Sequence, residues 1–159
     1  MRFRSVWLAI SLALLTSHSN ANDCQDIRKG ELLGQLKPVL YVADVERSAV
    51  FFRDTLGFAF LDYAGEEGNP YYAEMAAGPT KFGLHEPGGE RERERVGRQR
   101  LYFRVKDVEV HRKYVSACGG NPGEILRTAW MTMFSVTDLD GHEITFAETD
   151  PAVHSTNPW

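Results

Sequence analysis

The stretch VTDLDGHEITFAET, from Val136 to Thr149, contains residues that could bind a metal. An Asp-Gly turn separates two short strand-like segments, and His142 and Glu143 follow the turn directly. Imidazole and carboxylate groups are common ligands of zinc, iron, nickel and manganese. At this point the stretch has two interpretations, half of a metal site or a hairpin that holds no metal.

Two parts of the chain repeat one plan. KPVLYVADVERSAVFFRDTLGF begins at Lys37, and RLYFRVKDVEVHRKYVSACGG begins at Arg100. Each opens with a strand-like run, reaches an Asp-Val pair at Asp44 or Asp107, and continues as a helical pattern that ends near a glycine. Strand-like segments separated by turn residues follow each helix. Each part is therefore predicted to be a βαβββ module.

The predicted fold class is α+β, with tandem βαβββ modules that form a curled mixed sheet around a shared groove. One domain spans residues 36–148, with modules at residues 36–86 and 100–148. Acidic and basic residues alternate between the modules, so residues 87–99 are predicted to be a solvated linker. Residues 22–35 precede the domain, and residues 149–159 form a tail. The concave face of the paired modules is the expected ligand site.

The first 21 residues have the pattern of a secretory signal. Arg2 and Arg4 precede an apolar run from Val6 to Leu15, and small or polar residues lead to Ala21. That run has ten residues, whereas a helix that spans a bilayer needs about 20. We predict cleavage after Ala21, a secreted or periplasmic location and no membrane association after cleavage. An uncleaved anchor is the alternative interpretation.

Charge and cysteine content limit the partners. The formal net charge is −4, and the alternating charges form no basic surface, so no nucleic-acid partner is expected. Cys24 and Cys118 are the two cysteines. They could form a disulfide in an oxidising compartment, and the sequence leaves both the paired and the free state open.

This arrangement resembles the vicinal oxygen chelate superfamily, which includes glyoxalase I, extradiol dioxygenases, fosfomycin-resistance enzymes and bleomycin-resistance proteins. VLYVADVERSAVFFRDTLGF is similar to the family's first strand and helix. VTDLDGHEITFAE is similar to its closing hairpin, with Leu139 in place of the usual proline. The duplication, with Asp44 and Asp107 63 residues apart, is the third match. Together the matches cover roughly residues 37–148.

The resemblance also implies where metal ligands would lie, in the first and last strand of each module. In this sequence those positions hold Lys37, Gly83, Arg100 and Thr145. Ammonium and guanidinium groups do not ligate metals in their ordinary protonated state, so no metal and no cofactor are expected. Because residues two apart share a face of a strand, His85 and Glu143 lie beside two of these positions. A displaced metal site that uses them stays open. His142 has the opposite parity and adjoins the turn, so we expect it at the surface.

The same alternation predicts which side chains line the groove. The predicted ligand-binding residues are Lys37, Tyr41, His85, Arg100, Tyr102, Arg104, Trp130, Glu143 and Thr145. Arginine binds carboxylates through paired N–H groups, and aromatic rings stack on flat molecules, so this lining favours a small anionic or aromatic ligand. In the alternative interpretation, Arg100 and Arg104 form ion pairs with acidic side chains such as Glu74, Glu143 or Asp138.

These features predict a protein that binds a small organic molecule without a metal, as the resemblance to bleomycin-resistance proteins implies. The same resemblance implies a homodimer. Catalysis is not favoured, because the sequence shows no Ser-His-Asp or Cys-His arrangement and no phosphate-binding glycine loop. Two other functions stay open. One is a metal-dependent lyase, isomerase or dioxygenase with a displaced metal site, and the other is a non-catalytic interaction protein whose groove is closed by salt bridges.

Overall fold

The structure, a computed structural model, describes residues 36–149. The first module contains β1 (Val39–Tyr41), α1 (Val45–Val50), a π-helical continuation (Phe51–Thr55), β2 (Ala59–Glu66), β3 (Asn69–Ala77) and β4 (Thr80–His85). A short helix, α2 (Glu90–Arg93), lies between the modules. The second module contains β5 (Arg100–Arg104), α3 (Val108–Ala117), β6 (Leu126–Arg127), β7 (Met131–Thr137) and β8 (Glu143–Thr149). The prediction of an α+β fold with tandem βαβββ modules is confirmed.

Each module forms its own four-stranded mixed sheet. The strand orders are β1-β4-β3-β2 and β5-β8-β7-β6, so the two modules have the same topology. The first strand of each module is parallel to the last, and the other neighbouring strands are antiparallel. Strands β1 and β5 are therefore edge strands, each with one side that no other strand of its sheet covers.

Local sequence explains where the helices begin and end. Asp44 and Asp107 each accept a hydrogen bond of 2.9 Å from the backbone N–H three residues later, as N-cap residues do. In the π-helical continuation, the Leu56 N–H donates to the Phe51 carbonyl at 3.2 Å, one residue wider than in an α-helix. The chain then turns at Gly57, whose φ of +81° favours glycine.

The hydrophobic core lies between the helices and the helix-facing sides of the sheets. The largest fully buried side chains include Leu40, Val42, Phe52, Phe82, Phe134, Ile144 and Phe146. Aromatic contacts join the modules, with the Phe103 ring centre 4.6 Å from that of Phe58 and 5.3 Å from that of Phe82. Alternate strand residues therefore face the core, as the period-two pattern predicts.

Several predictions concern residues that the structure does not describe. The signal peptide at residues 1–21, the segment 22–35 and residues 150–159 of the tail all lie outside the described part, as does Cys24. Cys118 is an exposed free thiol. Within residues 36–149, no helix is both long and apolar enough to cross a membrane.

Candidate ligand site on the sheet faces

A lysine, a glutamate and a tyrosine ring occupy the inward face of the first sheet. Lys37 Nζ lies 2.7 Å from Glu74 Oε1 and 5.2 Å from the centre of the Tyr72 ring. Hydrogen bonding between the pair raises the pKa of Lys37 and lowers the pKa of Glu74. The Tyr72 ring lies directly against Gly83, and a Cβ added at Gly83 would clash with it. The Tyr72 ring thus occupies the space into which a side chain at position 83 would project.

An arginine, a glutamate and two hydroxyls form the matching group on the second sheet. Arg100 Nη2 lies 2.5 Å from Glu143 Oε2, and the Ser135 hydroxyl donates to Glu143 Oε1 at 3.1 Å. The Ser135 and Thr145 hydroxyl oxygens are 2.9 Å apart. The alternative interpretation of Arg100 as an ion-pair partner is therefore what the structure shows. Because both side chains are substantially exposed, such a pair contributes only about 0–1 kcal/mol to stability.

Three tyrosines surround His85. Its ring centre lies 6.0 Å from that of Tyr41 and 5.9 Å from those of Tyr71 and Tyr72. The Nδ1 atom of His85 lies 2.5 Å from the carbonyl oxygen of Glu86. This part of the face offers aromatic surface and one imidazole edge.

The remaining predicted site residues, Tyr102 and Arg104 on β5 and Trp130 just before β7, are largely exposed. Tyr102 and Trp130 have exposed fractions of 55% and 62%. Arg104 donates through Nη2 to the Thr149 hydroxyl at 2.7 Å. Within residues 36–149, Arg104 forms no ion pair with a carboxylate, in contrast to Arg100. The predicted site residues thus fall into one group on each sheet, and no hydrogen bond or ion pair described for residues 36–149 joins the two groups.

Two groups of side chains cover the outer edge of β1. One comes from the segment that connects the modules, residues 87–99, and the other from the β7–β8 turn. Gln99 accepts from the Tyr41 N–H at 3.2 Å and donates to the Val39 carbonyl at 2.9 Å. Asp140 accepts from the Ala43 N–H at 3.1 Å. Gln99, the last residue of the predicted linker 87–99, therefore takes the place of a neighbouring strand at this edge.

The segment that connects the modules also contacts the inward face of the first sheet, through Glu92. The Tyr41 hydroxyl donates to Glu92 at 2.9 Å, and the Gly88 N–H donates to the same carboxylate at 2.7 Å. The Gly88 N–H, followed by the Tyr41 hydroxyl, lowers the pKa of Glu92. Glu92 in turn raises the pKa of Tyr41.

His142 is fully buried, so the prediction that it lies at the surface is wrong. Its Nε2 lies 2.8 Å from the Tyr41 carbonyl oxygen, and its Nδ1 lies 3.2 Å from the Gln99 nitrogen. The Gly97 N–H also lies 3.2 Å from Nε2, so the tautomer with Nε2–H as donor and Nδ1 as acceptor satisfies the Tyr41 and Gln99 contacts but leaves no acceptor on the ring for Gly97. Strand alternation could have predicted this burial, because His142 lies on the same face of its strand as Ile144 and Phe146, which face the core.

Asp138 organises the turn before His142. Its Oδ1 accepts three backbone hydrogen bonds, from Asp140 at 3.0 Å, Gly141 at 2.9 Å and His142 at 2.7 Å. Its Oδ2 is buried and has no hydrogen-bond partner among residues 36–149. Burial raises the pKa of Asp138, against the opposing effect of His142.

The comparison with protein families agrees with this architecture. Residues 34–146 match the model of the Glyoxalase/Bleomycin resistance protein/Dioxygenase superfamily. The chain belongs to this superfamily. The prediction made from the sequence resemblance is therefore confirmed. The comparison with curated proteins gave no significant match.

Solved structures share the superfamily fold at low sequence identity. TioX from Micromonospora sp. ML1 is 20% identical, covers 72% of this chain and 97% of its own, and has a TM-score of 0.62. TnmS3, an antibiotic binding protein from Streptomyces sp. CB03234, is 18% identical over 76% and 100% of the chains, with a TM-score of 0.61. The bleomycin-binding protein from Streptomyces verticillus, complexed with copper(II)-bleomycin, is 18% identical over 74% and 97%, with a TM-score of 0.57.

The residues of this superfamily member do not fit a metal at the positions that the resemblance implies. Lys37 and Arg100 are cations already paired with carboxylates, and Gly83 is covered by a tyrosine ring. The hydroxyl of Thr145, which could ligate only weakly, is hydrogen-bonded to Ser135. A metal would meet two positive charges there and no carboxylate or imidazole at the four positions.

The displaced metal site also lacks support in the geometry. Within residues 36–149, the only three His, Cys, Asp or Glu side chains with ligand atoms within 4.8 Å of one another are Asp138, Asp140 and His142. Neither His85 nor Glu143 belongs to this set. Both ring nitrogens of His142 are already used by backbone groups, so the set serves the turn.

Sequence reasoning missed the residues that occupy the space between the predicted ones. Tyr72, Ser135, Glu92 and Gln99 contact the site but were not predicted to line it. Tyr72 and Ser135 each lie opposite a site residue, His85 and Thr145, in an antiparallel ladder. Strand register could have identified these two, whereas no local pattern marks Glu92 or Gln99.

Proposed function

We propose that this superfamily member binds a small, flat, anionic organic molecule on the inward faces of its sheets, without a metal. The observation that carries the proposal is the replacement of the implied metal ligands by charged and aromatic groups. Lys37 with the Tyr72 ring and the exposed Arg100 guanidinium offer hydrogen-bond donors and a ring surface at those positions, whereas the predicted site residue Thr145 is buried with its hydroxyl against Ser135. Such groups recognise a carboxylate and an aromatic plane.

Two of the similar structures are named for the molecules that they bind, and another is named a glyoxalase-related enzyme. TnmS3 is described as an antibiotic binding protein, and the Streptomyces verticillus protein as bleomycin-binding. At 18% identity these proteins establish the shared fold alone. Their ligands are small molecules, and we extend that ligand size to this chain as part of the proposal.

Arg104 is the best candidate for the anion anchor. Arg100 and Lys37 each hold a carboxylate, whereas the contact described for the Arg104 side chain is to the hydroxyl of Thr149. A guanidinium has five N–H donors, and within residues 36–149 the Arg104 side chain uses one of them, toward Thr149. The exposed ring of Tyr102, on the same strand, offers a stacking surface beside it.

The proposal extends to location and assembly. The N-terminal signal pattern favours a secreted or periplasmic protein that begins at Asn22, and family resemblance favours a homodimer. The intact mass of protein recovered from the cell envelope tests the first, and light scattering after size exclusion tests the second. A full-length cytoplasmic product, or a monomeric mass at all concentrations, would contradict these two extensions without affecting the ligand site.

A thermal-shift series tests the ligand site. Chelator-treated protein is heated with planar aromatic carboxylates, from benzoate to 2-naphthoate, and their neutral alcohols serve as matched controls. At least one carboxylate is expected to raise the melting temperature and its alcohol to have little effect.

Arg104→Ala is expected to weaken carboxylate binding by about 1.5–3 kcal/mol, the range for a hydrogen bond to a charged group. Arg53→Ala is the control, because Arg53 is exposed and paired with Asp54. Equal effects of the two substitutions would reject the anchor.

A further inference from the structure

The outer edges of β1 and β5 differ, although the two strands are equivalent in the duplicated fold. In β5, the Val105 N–H donates to the Ala147 carbonyl, and the Gln99 carbonyl accepts from the Glu143 N–H. In a parallel ladder these alternate residues use their backbone groups toward β8, so the N–H and carbonyl groups of Tyr102 and Arg104 point away from it. Within residues 36–149, no hydrogen bond reaches those groups.

The difference arises at two equivalent positions of the duplication, Leu36 and Gln99, which lie 63 residues apart. Gln99 directly precedes Arg100 in the second module, and its amide covers the edge of β1. Leu36 directly precedes Lys37 in the first module, and a leucine side chain has no hydrogen-bonding group. The β3–β4 turn, residues 78–80, likewise has no carboxylate or imidazole to match those of the β7–β8 turn. Within residues 36–149, the edge of β5 therefore lacks the cap that β1 has.

A cavity of about 790 Å³ lies along this uncapped edge. Ligand pockets in proteins have volumes of roughly 300–1,000 Å³, so the cavity is large enough for a small molecule. Its walls are mainly apolar and include Leu36, Pro38, Phe58, Leu101 and Phe103. The polar residues of the lining are Thr80, Tyr102, Arg104 and His111. The Arg104 guanidinium is directed to Thr149 on β8, on the opposite side of β5 from the open edge.

We infer that this cavity, the β5-edge cavity, binds a neutral, apolar molecule that carries a primary carboxamide. The Gln99 amide shows how an amide docks on this kind of edge, because it accepts from the Tyr41 N–H and donates to the Val39 carbonyl. The matching groups on β5 are the Arg104 N–H and the Tyr102 carbonyl. A ligand amide bonds to these two groups while its apolar body fills the cavity. This site uses the backbone groups of Tyr102 and Arg104 at the open edge, whereas the anion site proposed on the sheet faces uses their side chains.

Isothermal titration of the full chain with 2-naphthamide tests the inference, and N,N-dimethyl-2-naphthamide is the matched probe without a donor. Saturable binding of 2-naphthamide is expected, with the dimethyl probe about tenfold weaker or more, because an unpaired carbonyl would be buried. Leu36→Gln supplies the missing cap from the chain itself. It is expected to weaken 2-naphthamide binding about tenfold or more, while Leu36→Met changes it by about twofold or less. Leu36 is 83% exposed, so both variants should fold, which circular dichroism checks.

The outcomes separate this site from the sheet faces. Leu36→Gln is expected to leave the thermal shift by aromatic carboxylates unchanged, because Leu36 has no part in that site. No saturable binding of 2-naphthamide, equal binding of the dimethyl probe, or equal binding to Leu36→Gln and the unsubstituted chain would each overturn the inference.

Discussion

The cap on the β1 edge can be tested by removing the side-chain amide of Gln99. Gln99→Leu keeps the approximate size of the side chain and removes two hydrogen bonds, to the Tyr41 N–H and the Val39 carbonyl. Each bond contributes about 0.5–1.5 kcal/mol, and orphaning a buried group costs about 1–3 kcal/mol. Because this edge is only partly buried, we expect a loss of about 2 kcal/mol in the free energy of unfolding.

Urea unfolding followed by circular dichroism measures this loss. For a domain of this size, about 2 kcal/mol corresponds to a fall of roughly 8 °C in melting temperature. Arg98→Leu is the matched control, because Arg98 is the exposed neighbour of Gln99. Gln99→Glu keeps the acceptor and removes the donor, so it should lose part of the stability. A Gln99→Leu variant as stable as Arg98→Leu, within about 0.5 kcal/mol, would refute the cap.

Three further predictions concern buried groups. Burial raises the folded-state pKa of Asp138 above its unfolded value, so its contribution is complete below about pH 4 and is lost as pH rises through the folded pKa. Asp138→Asn, which keeps an acceptor for the turn, should flatten this part of a urea-stability profile against pH, and an unchanged slope would contradict the assignment. Burial lowers the pKa of His111 below about 6.5, so its contribution is lost as pH falls below that value. His111→Phe should remove that loss between pH 7.5 and 5, and a variant with the same loss would exclude His111 as its source. Gly83→Ala should cost about 1–3 kcal/mol because its Cβ would displace the Tyr72 ring. The added substitution Tyr72→Ala should recover part of the loss, and purely additive effects in the double variant would show that the two residues do not touch.

Features with local causes could be predicted from the sequence. The duplication, the N-caps at Asp44 and Asp107 and the alternation of strand faces follow from short-range stereochemistry. For this reason the core side of β1, with Leu40 and Val42, is where the pattern places it. The inward positions of Lys37 and the Arg100 side chain follow from the same rule.

Features that depend on long-range contacts could not be predicted from the sequence. Strand parity places His142 on the core face, but its hydrogen-bond partner, the Tyr41 carbonyl, lies in the other module and is not indicated by the local sequence. The cap by Gln99 depends on the position of β1 beside the start of β5, and nothing in the local sequence indicates it. The Tyr72 ring over Gly83 depends on side-chain orientation across two strands, which alternation alone does not give.

Ligand binding without a metal is tested most simply by the thermal shift that aromatic carboxylates cause in metal-free protein. The metal is first removed, and its absence is verified. We expect the melting temperature to rise with carboxylate concentration in the absence of metal, and to rise no further when Zn²⁺, Mn²⁺ or Fe²⁺ is added. In Arg104→Ala, the carboxylate-dependent rise is expected to be lost. A shift that appears only after one of these metals is added would contradict this expectation, because ligand binding would then require a metal.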